Sequence, residues 1–418
     1  MPPGPLNDHI HPLETVDPGS DDADLAPLAG MACDARIVAI GEATHGTKEF
    51  HLLRHRLVGY LVEHLGFRLV GIEAGWPECL ALNRYIVDGE GDPAQALASA
   101  GYWMWDVREF RALVDWLHSH NQTQDRDQRV HLFGFDASTG STATDLVWDL
   151  LDRIDPVYSQ ATSAVRREMA ELKPWARSGN EHTSISTSAA LADLAEHLMT
   201  NSDRYRSLVG EEEWSIALQS VVVLGQVDAR RQAGPGAGSF SVRDRAMAAN
   251  VAWRLDQAPP GEKAVLLAHN GHVTRDSRGM FDPAVVTMGK CLAEQFGDDY
   301  LSVGMMFGQG SFQAIVDVET GNPRLDEVAI GAPPPGSLDA ALMEATSTPA
   351  SLLDMRLLPP DLRAWLAGPL IIREAGAPFE GESEMHSTIH PASRHDVLAF
   401  VRQTTRANPN PTGVRPPW

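Results

Sequence analysis

The sequence predicts an α/β protein: a mostly parallel central sheet flanked by helices, with a helical insertion subdomain. Two observations carry this expectation. Short apolar runs rich in Val, Ile and Leu (Ile37–Ile40, Leu69–Ile72, Val130–Phe135 and Ala264–Ala268) are separated by segments of helical periodicity. From about Thr142 to Asp256 such runs mostly vanish, and Ala, Leu, Glu and Arg dominate. Runs apolar on both faces suit a sheet covered by helices on each side.

The elements follow in chain order. Residues 1–28 mix Pro, Gly, Asp and His and read as an extended lead-in. Residues 29–141 form the first part of the α/β core. Arg36–Ile40 is a strand, and Lys48–His64 is a helix with Phe50, Leu53, Leu57, Tyr60 and Leu61 at helical spacing. Arg68–Ile72 is the next strand, Pro77–Asp88 a helix, and Pro93–Trp105 a shorter helix or loop. Glu109–His120 is amphipathic, and Val130–Phe135 is a strand ending at Asp136. Residues 142–256 form the helical insertion, broken at Lys173–Ser184 and at the glycine-rich Gln232–Ser239. Val221–Leu224 reads as helix from its context, and Val242–Leu255 is the last helix of the insertion. Residues 257–405 complete the core: strand Lys263–Ala268, helix Pro283–Phe296, and two strands, Tyr300–Phe307 and Phe312–Val318, joined as a hairpin through Gly308-Gln309-Gly310. Ser337–Pro391 reads as loop-rich, His395–Val401 as a final strand, and 406–418 as a flexible tail.

A chain of 418 residues suggests two or three domains and can bury a large core. A formal charge of −22 argues against nucleic-acid binding, since few cationic side chains are spare to displace counterions. It would attract a cationic substrate, weakly in salt. Three cysteines, Cys33, Cys79 and Cys291, make a poor disulfide framework and suit a reducing cytoplasm. The polar, proline-bearing start is unlike a secretory signal, and no run is long enough to span a bilayer. Nothing in the sequence sets an oligomeric state.

The chemistry gathers at three strand endings. Ile37–Ile40 runs into Gly41-Glu42-Ala43-Thr44-His45-Gly46, Leu69–Ile72 into Glu73, and Ala264–Ala268 into His269-Asn270-Gly271-His272. In an open parallel sheet such endings converge on one crevice at the carboxyl edge. Two carboxylates and three imidazoles there equip proton transfer or a metal site. Gly41 and Gly46 would permit unusual backbone angles and close ligand approach. The plain reading of the same turn is a capped helix start with a buried histidine. Glu73 is either functional or tied to a cation such as Arg54, which equally suits a solvated helix face. Tyr102-Trp103-Met104-Trp105 is core or a pocket wall, and Arg243-Asp244 could be a simple ion pair at a helix start. Asp136 on its own is a weak signal. No G-x-S-x-G, H-E-x-x-H, Walker A or G-x-G-x-x-G pattern occurs, so activated water is a more natural nucleophile than serine.

Taken together, several of these segments resemble the erythromycin esterase family. They are Ile40–Phe50, Gly71–Ala74, Trp103–Trp105, Val242–Asn250, Ala268–Val273 and Met288-Gly289, in the same order across roughly residues 30–405. The resemblance implies an α/β core with a helical insertion and hydrolysis of a macrolide lactone without a covalent intermediate. It makes His45 the general base. It assigns Glu42, Arg54, Glu73, His269 and His272 to orienting the water, the imidazole and the carbonyl. Trp103, Trp105, Arg243, Asp244 and Met288 lie in matching segments and are expected at the substrate. No cofactor is expected, and a divalent metal, though possible with three His and two Glu, is not favoured. Where family members often carry a tyrosine-rich segment, this chain reads Glu384-Met385-His386-Ser387, a departure that bears on the ligand. The leading expectation is a hydrolase of an ester or lactone acting on a bulky small molecule. A tailoring enzyme using the same cleft for elimination or cyclisation is the second, and a protein that only binds its ligand is the last.

Overall fold

The computed structural model describes residues 2–137, 139–172, 187–280, 282 and 284–411. Its strands are β1 (His11–Leu13), β2 (Ile37–Ile40), β3 (Leu69–Gly75), β4 (His131–Asp136), β5 (Ala264–Leu267), β6 (Tyr300–Val316), β7 (Arg324–Ile330), β8 (Ala350–Asp354), β9 (Leu370–Arg373), β10 (His386–Ile389) and β11 (Val397–Thr404). Among the described residues nine of them form one sheet in the order β1-β8-β11-β6-β2-β5-β3-β4, with β7 paired to β6. The run from β11 to β4 is parallel throughout, and β8 and β1 extend it antiparallel. β9 and β10 make a separate two-stranded sheet. The fold is thus α/β with a central, mostly parallel sheet flanked by helices.

Alternation explains why β2 has no polar residue. Val38 and Ile40 pack into a cluster with Phe50, Leu53 and Leu57 of the helix Lys48–Leu65. Ile37 and Ala39 pack on the opposite face with Met247 and Val251 of the helix Ala237–Asp256. Between Ser141 and Ala233, Trp148, Leu194, Tyr205, Trp214 and Leu224 build a hydrophobic cluster of their own. Val221–Leu224 is helical, within Glu211–Ala233. That helix ends at Ala233 and the next begins at Ala237, with Gly234 and Gly236 at φ 68° and 98° turning the chain. The expected break at Lys173–Ser184 lies outside the described residues.

Several expected elements differ. The Tyr300–Phe307/Phe312–Val318 hairpin does not form. β6 runs unbroken through Gly308-Gln309-Gly310 and pairs antiparallel with β7 instead. The glycines serve close approach: a Cβ on Gly308 would meet Arg402 O at 2.4 Å, and one on Gly310 would meet Thr404 O at 2.0 Å. The helix expected from Pro283 begins only at Met288, capped by Thr287, whose hydroxyl accepts from Lys290 N–H at 3.1 Å. Pro283 itself lies outside the described residues. Pro77 precedes its helix, which starts at Leu80. Ser337–Pro391 carries far more order than a loop, with helices Leu338–Ala345 and Pro360–Ala367 beside β8, β9 and β10. The lead-in is not merely extended. β1 pairs with β8, and the short helix Ala26–Ala32 follows.

Candidate active site

The strand order brings the three endings together. β5 lies between β2 and β3, so residues after β2, on β3 and after β5 share the carboxyl edge, with Asp136 at the end of β4 beside them. A cavity of about 610 Å³ opens there, lined by His45, Glu73, His269 and His272 together with Tyr102, Trp103, Arg230, Phe240, Arg243 and Glu374, among others.

Glu42 and His45 sit on the turn between β2 and the helix Lys48–Leu65. His45 Nδ1 stands 2.8 Å from Glu42 Oε1. Arg54 Nη1 donates to Glu42 Oε2 at 2.5 Å, and its Nη2 reaches the carbonyls of Ile40 and Ala268. Burial alone would raise the Glu42 pKa, but the Arg54 charge and the His45 ring hold it below the usual range. An ionised Glu42 can only accept, so Nδ1 carries the proton and the lone pair of a neutral His45 is on Nε2. Arg54 therefore clamps Glu42, not Glu73, and it is buried, not solvated. Trp105 is buried too, 5.9 Å from the Arg54 guanidinium, and its indole N–H donates to Glu73 O at 2.9 Å. It ties β3 to the Arg54 side chain, whereas Trp103 lines the cavity, 6.4 Å from His45 ring to ring.

The two glycines of this turn do not adopt unusual angles. A Cβ on Gly41 would fall 2.1 Å from Asn270 Oδ1, and one on Gly46 would fall 2.1 Å from Gln313 O. Close packing against the protein's own chain, not against a ligand, demands glycine here.

Glu73 is placed where the register of β3 on β4 shifts between Ile72 and Gly75. Its Oε2 accepts from His269 N–H at 2.9 Å, and its Oε1 accepts from Arg243 Nη2 at 2.8 Å. Arg243 also forks onto Asp136 at 2.7–3.1 Å. Tyr102 donates to the same Asp136 at 2.7 Å. Burial would raise the Glu73 pKa, but His272 and Arg243 hold it well below the usual range, so Glu73 is an anchor of fixed charge. Arg243 and Asp244 lie on the second turn of their helix and are not an ion pair of the helix start. Asp244, buried behind His272, accepts from Met288 N–H at 2.7 Å and contacts His272 Nδ1 at 2.9 Å. Met288 thus contributes its backbone and does not line the cavity.

His272 Nε2 lies between Glu73 Oε1 at 3.2 Å and Arg243 Nη1 at 3.0 Å. The arginine suits a neutral ring and the carboxylates suit an imidazolium. Two carboxylates, Glu73 and Asp244, face the ring against one guanidinium, which favours the imidazolium. Burial alone would lower its pKa, but Asp244 and Glu73 push it up to about 9. Phe240 stacks on the ring at 5.0 Å. Because the folded-state value lies above the ordinary 6.5, the stabilisation from this ring is complete below about 6.5 and is lost as pH rises through about 9. Thermal melts should show wild type and His272→Gln furthest apart near pH 6 and converging above pH 9. A constant gap would contradict the imidazolium.

His269 behaves differently. Its Nε2 lies 3.1 Å from Ala375 O, and its Nδ1 accepts from Gly271 N–H at 3.1 Å. Burial pushes its pKa down to about 4, with the nearby His45 adding to the effect, so it is a neutral ring with both nitrogens engaged. It packs 5.0 Å from His45. Its chemistry is that of a wall beside His45.

Sequence reasoning gave Asp136 little weight, read Tyr102 as core or a pocket wall, and did not single out Glu374. Asp136 ends a strand like Glu73, which is the signal that could have raised it. Glu384 and Ser387 of the departing segment do line the cavity. The three cysteines are unpaired, and no helix among the described residues is long and apolar enough to cross a membrane.

With this site in place, comparison defines the class as hydrolase. The model of the erythromycin esterase family matches residues 62–404, and the chain belongs to that family. The matched span begins after Glu42, His45 and Arg54. Erythromycin esterase type II of Escherichia coli is 25% identical over 388 residues, covering 85% of this chain and 89% of the relative. Among solved structures, a succinoglycan biosynthesis protein superposes with a TM-score of 0.81 at 20% identity, covering 97% of each chain. A mutant erythromycin esterase in its open conformation superposes with a TM-score of 0.73 at 19% identity, covering 94% of this chain and 96% of that one.

Proposed function

We propose that the protein hydrolyses an ester or lactone of a bulky, macrolide-like small molecule by direct attack of water, without a metal and without an acyl-enzyme. The observation that carries this reading is the Glu42–His45 pair. Glu42 holds the proton on Nδ1, and His45 presents Nε2 at the cavity. The base takes a proton from water as the oxygen attacks the carbonyl carbon. Arg243 and the His272 imidazolium are cations of the cavity available to the developing oxyanion. As the tetrahedral adduct collapses, His45 returns the proton to the leaving alkoxide, and acid and alcohol separate. Lone pairs of Glu73 and His269 are already engaged with protein partners, and a His272 imidazolium has no ring lone pair to offer, which favours a metal-free mechanism. Trp103, Met104, Phe240 and Met280 give the cavity an apolar wall suited to a large ring, and the acidic Glu384 suits a cationic substituent. Incubation with a panel of macrolactones and simple esters, read by mass spectrometry, should give products heavier by one water. Products without added water, lighter than the substrate or of unchanged mass, would mark elimination or cyclisation and defeat the hydrolytic reading.

A further inference from the structure

Glu374 is a cavity carboxylate for which the hydrolytic scheme has no use. It follows β9, and the chain around it is pinned to the catalytic turn. Ala375 N–H donates to Ala43 O at 2.7 Å, and Ala375 O lies 3.1 Å from His269 Nε2. Glu374 N–H donates to Met385 O at 3.0 Å, beside the departing segment Glu384–Ser387. The position of Glu374 relative to His45 is therefore set by backbone bonds.

Its two oxygens differ. Oε1 accepts from Arg394 Nη1 at 3.1 Å. Oε2 is buried and has no hydrogen-bond partner among the described residues. A buried acceptor without a donor is costly, and native sites seldom keep one without a use. Arg394 already offsets the charge, so what Oε2 lacks is a donor and not a second cation.

Resting on the hydrolase reading, we propose that Glu374 determines specificity: its carboxylate, which lines the cavity, accepts a hydrogen bond from a hydroxyl of the substrate. A site built to bond a hydroxyl rejects the analogue lacking it, because the acceptor is then left buried and bare. The competing arrangement is internal. Arg394 Nη2 also lacks a partner, and a two-pronged ion pair would use both groups without any ligand.

The test measures binding by calorimetry, with erythromycin and derivatives in which one hydroxyl at a time is methylated. It uses His45→Ala protein with Glu374 intact and with Glu374→Ala, so that turnover does not intervene. With Glu374 present, one methylated derivative should bind at least about tenfold more weakly than the parent. In the Glu374→Ala protein that difference should vanish, while the remaining derivatives change little. Equal weakening of all ligands would assign Glu374 to the internal ion pair. That result, an unchanged pattern, or no binding of any of them would overturn the proposal. Tight binding of the parent without hydrolysis by protein retaining His45 would instead defeat the hydrolase reading and leave the Glu374 result standing.

Discussion

Replacing His45 with Ala should lower kcat by about 10²–10⁴ while leaving the fold intact, the range expected for loss of a general base. The side chain is largely buried, and its one side-chain hydrogen-bond partner among the described residues, Glu42, keeps the Arg54 contact when the ring is gone. Glu42→Gln should reproduce part of the loss, because an amide can donate to Nδ1 and leave the lone pair on the wrong nitrogen. The measurement is steady-state turnover alongside thermal melting. Normal turnover by His45→Ala would remove the assignment. A collapse in melting temperature would show that the ring holds the fold.

The second large effect is at Arg243. Its guanidinium bridges Glu73 and Asp136, both buried, and pins the strand endings of β3 and β4 to the helix Ala237–Asp256. Removing one member of a buried ion-pair network strands the others, at a cost of about 3–5 kcal/mol. Arg243→Met should therefore lower the stability in urea by that order and abolish turnover. Arg243→Lys should restore much of the stability, since it keeps the charge. It should not restore turnover, since an ammonium cannot fork onto two carboxylates while facing the cavity. Equal activity of the lysine variant and wild type would show that charge alone suffices and that the fork geometry is irrelevant.

The parallel core and the convergence of Glu42, His45, Glu73, His269 and His272 were legible because each depends on a local signal. A short apolar run stops at a titratable residue, and sheet topology does the rest. Arg54 was half legible. Phe50, Arg54, Leu57, Val58 and Leu61 fall on one helix stripe, a pattern that argues against the solvated face the sequence reading left open, but it does not say which carboxylate Arg54 meets. The β6 glycines misled because a glycine pair signals a turn and close chain approach alike, and only the crossing of β11 distinguishes them. Glu374 was illegible for a deeper reason. It lies after an element of a separate two-stranded sheet, and its place in the cavity comes from bonds of its neighbour Ala375 to the Ala43 carbonyl and the His269 ring, both far away in the sequence. Opposite roles for His269 and His272 were also hidden. The motif is symmetrical in sequence, but Asp244 faces one ring and backbone groups face the other.

The central claim is that His45 activates a water that attacks the substrate carbonyl itself. It is tested most directly by the intact mass of the enzyme, quenched in acid during turnover in oxygen-18 water. The account predicts unmodified protein and one oxygen-18 in the product acid from the first turnover onward. Protein carrying the acyl portion of the substrate, or a first-turnover acid without the label, would contradict it.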